Sequence, residues 1–351
     1  MSGSSRMTSS SAEQPERVTL VVPVYNRAGP LLARALDSLL TQDYPNLDVL
    51  AIDDGSTDGT ADALAEYSER HPERFRWTGQ ENRGQAATLN RGFEMADGSL
   101  LGYLSSDDVL LPGAISRLVG ALARRGDAVL AYPAYRVIDE GGDVVDTISP
   151  PEYSRVESVR LQDTIVGPGA LFRADALRRA GPLRTDLRYL ADKELWLRLS
   201  RVGPFVRVPE PLACWRRHGG ALTVAEQGRE MAEERLRILD EVFADQPEPE
   251  LKAIRDQAYR NALVLSATVI ASGFNDPGER YFLVDRHARE VSASAGAQST
   301  EERLAAARDQ LAGQRGRIEE LQREKEALLD RRPLVRFMAA RMRRRRREAG
   351  S

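Results

Sequence analysis

Two adjacent carboxylates, Asp107 and Asp108, end an apolar stretch in the segment YLSSDDVLLP (103–112). Adjacent carboxylates repel each other, so the pair is unfavourable unless water solvates it or a positive group lies beside it. Carboxylate oxygens are the hard ligands that suit Mg²⁺ or Mn²⁺. The segment therefore raises two hypotheses, a solvated turn and a site for a divalent cation.

Two further polar clusters also follow apolar stretches. PVYN (23–26) comes after a β-branched stretch, and DDGS (53–56) brings Asp53 and Asp54 to the end of LDVLAI. Ligands of doubly wound sheets bind outside the carboxyl ends of the strands. Three polar clusters at three such ends predict one shared crevice, which independent solvation of three turns does not explain.

Alternating strands and helices would position these clusters. Apolar stretches predict strands at 18–25, 47–56, 74–79, 99–108 and 128–139, and helical spacing predicts helices at 29–42, 59–70, 84–96 and 111–125. The pattern loosens after residue 140, with a short strand and helix within 167–181, a helix at 191–203 and a strand-like segment at 205–220. The alternation predicts a largely parallel α/β sheet with helices on both faces.

The composition separates a globular body from a basic C-terminus. The chain has 351 residues and a formal net charge of −3, yet nine arginines and no acid lie between Arg331 and Arg347. The single cysteine excludes an internal disulfide, and no apolar stretch approaches the roughly 18 residues that a membrane span needs. A cytoplasmic protein is expected, with the tail 331–351 as a basic amphipathic segment that could hold it to the inner face of the plasma membrane.

The remaining segments predict a chain of five parts. Residues 1–16 are expected to be a disordered leader, and the α/β domain is expected over 17–225, followed by a helical region at 226–290. Apolar residues seven apart, namely Leu304, Leu311 and Ile318, predict a coiled-coil helix at 300–330. Such a helix would support a homo-oligomer or pack on another partner.

Six segments resemble those of family 2 glycosyltransferases in order and spacing. They are VVPVYN, DDGSTDGT, ENRGQAATLNRG, YLSSDDVLLPG, ADKELWLRL and WRRHGGALT, and they cover about residues 17–225. The resemblance implies a GT-A fold, a Rossmann-like nucleotide-sugar-binding α/β sheet flanked by helices. It also implies an inverting, metal-dependent reaction with a nucleotide diphosphate-sugar donor. The helical C-terminal extension with its short coiled coil lies outside the resemblance.

The resemblance also implies which residues bind the nucleotide. Pro23, Tyr25 and Asp54 correspond to the nucleobase pocket, where a carboxylate can accept a hydrogen bond from a base N–H. Arg83 would lie over the nucleotide, and Gly84 would allow close backbone approach.

The metal motif departs from the family pattern. Ser105 stands where the first aspartate of the family's Asp-x-Asp motif is often found. Asp107 and Asp108 are left to carry the ribose contact and the cation, and which does which stays open. The cation, Mg²⁺ or Mn²⁺, would bridge the diphosphate and neutralise the leaving group.

The segment WRRHGGALT implies a further ligand. His218 corresponds to a family histidine that contacts the metal or the diphosphate, and Arg216 and Arg217 beside it would add diphosphate contacts. Cys214 is interpreted as a packing residue, because no histidine and acid accompany it in a nucleophilic arrangement.

The general base of the family is an acid at the start of a helix. Asp192 in the pair Ala191-Asp192 corresponds to it, with a helix N-cap as the structural alternative and Glu194 as the alternative base. Trp196 is interpreted as a core residue rather than a sugar platform.

The predicted function is sugar transfer to a glycan or lipid-linked acceptor in cell-surface polysaccharide biosynthesis. The rival, supported by Ser105 and by the Ala191-Asp192 pair, is a non-catalytic nucleotide-sugar-binding or scaffold protein that acts through its coiled coil. A nucleotidyltransferase would need a Gly-rich phosphate loop near the N-terminus, and none is present. Nucleic acid is not expected as a partner, because the body of the protein is acidic.

Overall fold

A computed structural model describes residues 15–162, 164–217, 229–244 and 248–262 of the chain. Residues 1–14, His218, the predicted coiled coil at 300–330 and the basic tail at 331–351 lie outside the described residues. The bounds of the five predicted parts therefore stay predictions.

The first half of the chain forms the parallel part of one sheet. Its strands are β1 (Val18–Val24), β2 (Leu47–Asp53), β3 (Phe75–Gly79) and β4 (Leu100–Tyr103), in the order β3-β2-β1-β4. The helices that follow them are α1 (Pro30–Leu40), α2 (Thr60–Arg70), α3 (Gln85–Glu94) and α4 (Ala114–Arg124). These elements confirm the predicted alternation, with shorter bounds.

Burial explains why these segments form inner strands. All seven residues of β2 are buried, including its Asp48, and six of the seven residues of β1 are buried. A strand covered by helices on both faces needs a nearly continuous apolar stretch rather than an alternating one. The core is built from these strands and from the buried faces of α1 and α4.

The second half of the sheet is mixed, which differs from the largely parallel sheet predicted. It contains β5 (Val109–Leu110), β6 (Leu130–Ile138), β7 (Val144–Ile148), β8 (Leu171–Arg173) and β9 (Phe205–Arg216). The order continues β4-β8-β6-β9-β5, with β7 paired to β6. β8 is antiparallel to both β4 and β6, whereas β6 and β9 are parallel. The short turn between β6 and β7 forces an antiparallel hairpin, because a parallel pair needs a long crossover.

Further helices among the described residues cover this half or follow it. They are α5 (Arg155–Leu161), α6 (Ala174–Ala180), α7 (Ala191–Val202), α8 (Arg229–Ala244) and α9 (Pro249–Ala253). In the part of the chain that the structure describes, none of the helices has the length and apolar content to cross a membrane.

Candidate functional site

The polar clusters that follow β1, β2 and β4 lie at one edge of the sheet. Val24 at the end of β1 is in register with Asp53 at the end of β2, and Asp53 is in register with Gly79 of β3. On the other side of β1, the Leu104 amide just after β4 donates to the Val21 carbonyl at 3.1 Å. The strands are parallel, so the segments that leave them lie at the same edge of the sheet, where the sequence predicts a shared crevice.

Hydrogen bonds with residues 56–60 hold the loop that leaves β1. The Asn26 amide donates to Ser56 Oγ at 2.8 Å, and the Thr57 amide donates to Asn26 Oδ1 at 2.8 Å. Asn26 has a φ of 44°, a left-handed conformation that asparagine tolerates better than most residues. The segment DDGSTDGT therefore acts as a support for the loop that carries PVYN.

Asp54 supports a second loop of the crevice. Its Oδ1 accepts hydrogen bonds from Gln80 Nε2 at 2.7 Å and from the Arg83 amide at 2.9 Å, and its Oδ2 accepts one from the Gly84 amide at 2.9 Å. A carboxylate has about four acceptor positions. One position is left for a nucleobase, so the nucleobase contact of Asp54 stays a prediction.

The other predicted nucleotide contacts surround the same loops. Tyr25 is 49% exposed, Pro23 is partly buried, and the Arg83 side chain is exposed. Gly84 has a φ of 83°, which favours glycine there, and it is the N-cap residue of α3. These positions are open to a ligand, and their roles in binding one stay predictions.

The aspartate pair after β4 divides into two environments. Asp108 is 5% exposed, and its Oδ1 accepts a hydrogen bond from the Arg216 amide at 2.9 Å. Burial, followed by the negative charge of Asp107, raises the pKa of Asp108 well above its usual range. The Asp107 side chain is partly exposed, and its Oδ2 lies 3.5 Å from Arg27 Nη2. Asp107 therefore faces the crevice, while Asp108 ties the loop to the end of β9.

Arg216 is a support of this loop and not the open diphosphate contact that the sequence predicted. Its side chain is 2% exposed, with Nε donating to the Asp107 carbonyl at 2.9 Å and Nη1 to the Asp139 carbonyl at 2.9 Å. Its position in β9 buries it, so its donors serve the backbone. Arg217 is exposed, and its diphosphate contact stays a prediction. Cys214 is buried in β9, where burial raises the pKa of its thiol, in agreement with a packing role.

Asp192 lies in the first turn of α7 and reaches back to the end of β4. Its Oδ2 accepts a hydrogen bond from the Tyr103 hydroxyl at 3.3 Å, and its Oδ1 accepts one from the Lys193 amide at 2.6 Å. Burial raises the pKa of Asp192 above its usual range. Burial, then the charges of Asp192 and Asp108, raises the pKa of Tyr103 well above its usual range, so the phenol stays protonated and donates. Tyr103 thereby links Asp192 to the aspartate loop.

Glu194, the alternative base, is held in a buried ion pair. Arg198 Nε donates to Glu194 Oε1 at 2.7 Å and Arg198 Nη2 donates to Glu194 Oε2 at 2.7 Å, while Nη1 donates to the Gly181 carbonyl at 2.9 Å. A bidentate partner occupies both oxygens, so the geometry favours Asp192. Trp196 is 3% exposed and its ring centroid lies 5.8 Å from that of Phe172, which agrees with the predicted core role.

Two residues of the site were not identified from the sequence. One is Arg27, an arginine directly after PVYN. The other is Glu234 of α8, which is 4% exposed and accepts hydrogen bonds from the amides of Arg188, Tyr189 and Leu190 at 2.5, 2.9 and 3.0 Å. Those amides directly precede α7, so Glu234 holds the start of the helix that carries Asp192. Its sequence signal is an acid at an otherwise apolar position of helical spacing.

The crevice fits a divalent cation held by few protein ligands. Within the described ranges, no three His, Cys, Asp or Glu side chains come close enough to form a metal cluster, and His218 lies outside those ranges. Mg²⁺ in phosphate sites takes one or two carboxylates, completed by water and substrate phosphates. Asp107 can supply one such carboxylate, because its side chain is partly exposed.

Comparison with known proteins finds similar sequences and similar folds. Residues 19–180 match the family model for Glycosyl transferase family 2. The chain is 29% identical over 217 residues to a chondroitin synthase from Escherichia coli. The alignment covers 61% of this chain and 31% of that protein. It shares its fold, at a TM-score of 0.63 and 16% identity, with S. aureus TarS 1–349 in complex with UDP-GlcNAc, covering 83% of each chain. A mannosyltransferase from Pyrobaculum calidifontis, in complex with GDP-Man and Mn²⁺, has a TM-score of 0.55 at 20% identity, covering 85% of this chain and 81% of that one.

The similarities to the solved structures establish the fold. The sheet is of the GT-A type, as the resemblance implied. Residues 19–180 are similar in sequence to family 2 glycosyltransferases. The chain spans between about a third and two thirds of the length of the first curated relatives that it matches.

The Glu234 contacts predict that α8 stabilises the start of α7. In Glu234→Gln a single carbonyl oxygen replaces two carboxylate oxygens that serve three amides, so we expect a loss of about 1–3 kcal/mol and a lower Tm. Glu230→Gln is the matched control on the same helix, since its side chain is 69% exposed and surface pairs contribute little. Thermal unfolding of both variants measures the difference, and equal Tm values would contradict the role of Glu234.

Proposed function

We propose that this chain is a glycosyltransferase that moves a sugar from a nucleotide diphosphate-sugar to a hydroxyl of an acceptor, with inversion at the anomeric carbon. The observation that carries the proposal is the Tyr103–Asp192 pair at the crevice edge. A carboxylate whose pKa burial has raised is a better proton acceptor than an exposed one, and Tyr103 keeps one of its oxygens in place.

Asp192 would act as the general base. It takes the proton of the acceptor hydroxyl while that oxygen forms a bond to the anomeric carbon. The bond from this carbon to the diphosphate oxygen breaks, and its electron pair leaves with the nucleoside diphosphate. Attack from the side opposite the leaving group inverts the anomeric centre. The Tyr103 hydrogen bond orients Asp192 during this transfer.

The donor site is proposed to lie across the loops that follow β1, β2 and β4. Tyr25 and Arg83 have exposed side chains on two of these loops, and Asp54 fixes the loop that carries Arg83. UDP-sugars and GDP-sugars are the first donors to test, because structural neighbours of this fold were solved with UDP-GlcNAc and with GDP-Man. Family relatives that include a chondroitin synthase support a role in polysaccharide synthesis.

Asp107 is the residue proposed to hold Mg²⁺ or Mn²⁺, with His218 as a further ligand. When bound, the cation would neutralise charge on the diphosphate leaving group. The chemistry of the donor set supports the proposal, as does the Mn²⁺ in the mannosyltransferase of similar fold. Asp108 is proposed to act through the loop, because Arg216 already binds its Oδ1.

The acceptor is proposed to be a glycan or a lipid-linked precursor at the inner face of the membrane. The basic tail would place the enzyme there by its attraction to anionic lipid, and the coiled coil would support a homo-oligomer. The rival scaffold function is less well supported, because a scaffold has no need of a carboxylate with a raised pKa at the crevice edge.

Asp192→Asn should abolish turnover and leave donor binding intact. The amide keeps the size and one acceptor oxygen but cannot take a proton, so we expect release of nucleoside diphosphate to fall at least about 100-fold. Turnover is measured on a panel of UDP- and GDP-sugars with Mn²⁺, and UDP and GDP affinity by calorimetry. No turnover by the wild-type protein on any donor would contradict the proposed function.

Two variants check that Asp192 is the base. The Tyr103 hydrogen bond lowers the pKa of Asp192, so Tyr103→Phe should raise that pKa. Because the base works deprotonated, the acidic limb of the pH profile should move to higher pH. Glu194→Gln should lower the Tm through its ion pair with Arg198. If Asp192→Asn turns over normally and a folded Glu194→Gln does not turn over, the base is Glu194 and not Asp192.

Asp107→Asn should remove the Mn²⁺ dependence of nucleotide binding. Loss of the charge that faces the crevice should weaken UDP or GDP binding with Mn²⁺ by at least tenfold, without lowering the Tm. Asp108→Asn keeps an acceptor for the Arg216 amide, so its loss should be smaller. Full wild-type turnover in EDTA, or a larger loss in Asp108→Asn, would contradict the assignment.

Deletion of residues 331–351 should abolish co-sedimentation with anionic vesicles and leave hydrolysis of the free nucleotide-sugar unchanged. The attraction is electrostatic, so binding of the full chain should also weaken as salt rises. Pelleting of the truncated chain with the same vesicles would show that the tail is not the membrane-binding segment.

A further inference from the structure

Arg27 places a positive charge at the crevice beside the proposed cation ligand. Its Nη2 lies 3.5 Å from Asp107 Oδ2, and the two side chains are 25% and 15% exposed. The pair joins the loop after β1 to the loop after β4. Both side chains are only partly buried, so a ligand in the crevice can reach them.

The backbone of Arg27 is fixed by the loop that follows β2. The Arg27 amide donates to Thr60 Oγ1 at 2.9 Å, and the next amide, that of Ala28, donates to Asp58 Oδ2 at 3.0 Å. These bonds set the origin of a long side chain, so its position over Asp107 does not depend on the ion pair alone. Fixed backbone and a charged tip are what a binding residue requires.

One donor of Arg27 remains unsatisfied. Its Nε is buried and has no hydrogen-bond partner among the described residues. A buried N–H without an acceptor is unfavourable, and such atoms are rare in folded proteins. Guanidinium groups match the oxygens of phosphates through several donors at once. Arg27 therefore has a donor that no described residue accepts, and an anionic ligand could accept it once the side chain adjusts.

On the proposed function the anion is the donor's diphosphate, and the charges of the site agree with it. The diphosphate bridge carries two negative charges and Asp107 carries one, whereas a divalent cation supplies only two positive charges. Arg27 supplies the third, and the sum becomes neutral. The family often has an aspartate at the position of Ser105, and that aspartate would add one negative charge. Ser105 is neutral, so the sum of charges stays at zero.

We propose that Arg27 is the counter-ion of Asp107 in the donor-free protein and a ligand of the diphosphate in the donor complex. This inference rests on the proposed function. Before the donor binds, Arg27 and the cation compete for Asp107. When cation and donor are both present, Arg27 pairs with the diphosphate instead.

The competition gives the proposal a test with two effects of opposite sign. In Arg27→Gln the full chain should bind Mn²⁺ alone at least threefold more tightly than wild type, because a competitor of the cation is gone. The same variant should bind UDP or GDP in the presence of Mn²⁺ at least tenfold more weakly, because a charged hydrogen bond to phosphate is lost. Titration calorimetry measures both affinities.

Two further variants separate this role from a structural one. Arg27→Lys keeps the charge without the planar set of donors, so nucleotide affinity should recover in part. Arg34→Gln, on α1, removes an exposed arginine that donates to the Gly141 carbonyl, and both affinities should equal those of wild type. Both variants remove one positive charge. If Arg34→Gln loses as much nucleotide affinity as Arg27→Gln, the loss comes from net charge alone and the proposal is overturned.

The remaining outcomes distinguish this inference from the proposed function. If wild type binds UDP or GDP with Mn²⁺ and Arg27→Gln binds them equally well, the role of Arg27 is overturned and the proposed function stands. If Mn²⁺ alone binds more weakly to Arg27→Gln, the competition is overturned. If wild type binds neither nucleotide, the proposed function fails and this inference fails with it.

Discussion

Hydrogen bonds from backbone amides to buried carboxylates hold the crevice together. Asp54 accepts the amides of Arg83 and Gly84, Asp108 accepts that of Arg216, and Glu234 accepts three amides before α7. Loops that leave strands have backbone donors that no neighbouring strand satisfies, and a buried donor without an acceptor destabilises the fold. Each carboxylate satisfies such donors and fixes a loop, so the positions of the site residues depend on these three side chains.

The acidic side chains of the site fall into two groups, those that support the fold and those that are proposed to face a ligand. Asp54, Asp108 and Glu234 are between 4% and 5% exposed, and their oxygens are used by the backbone. Asp107 and Asp192 contact side chains that can respond to a ligand, namely Arg27 and Tyr103. Because the supporting acids fix the loops, these two groups are positioned before any substrate arrives, which reduces the cost of ordering them in a complex.

The parallel half of the fold could be predicted because each of its elements is marked by the pattern of apolar residues within its own segment. A nearly continuous apolar stretch marks each buried strand, and helical spacing marks the helices between them. The β6–β7 hairpin was not predicted, because Val144 and Val145 of β7 are 54% and 56% exposed and so carry no burial pattern. The strand predicted to reach Asp108 ends at Tyr103, since residues 105–108 form a turn in which the Asp108 amide donates to the Ser105 carbonyl.

The positions of the site residues could be predicted from the sequence better than the roles of their side chains. Motif order placed Asp54, Asp107 and Asp192 at the crevice, but a sequence does not show how many oxygens of a carboxylate the backbone already uses. Arg216 illustrates the difference, because its neighbours suggested an open diphosphate contact and its place in β9 directs it to two carbonyls. Glu234 is distant in sequence from Asp192, so only the fold brings them together.

Hydrogen exchange of the backbone amides, with and without a donor, tests most directly whether the strand-end loops form the donor site. Measured by mass spectrometry on the full chain with Mn²⁺ and UDP-GlcNAc or GDP-mannose, exchange should slow in residues 25–29, 53–56, 80–84 and 105–108. It should not change in the exposed hairpin strand β7, which lies outside the proposed site. The proposed donor site would be contradicted if exchange slowed only in other segments. It would also be contradicted if exchange did not slow with any nucleotide-sugar that the protein consumes.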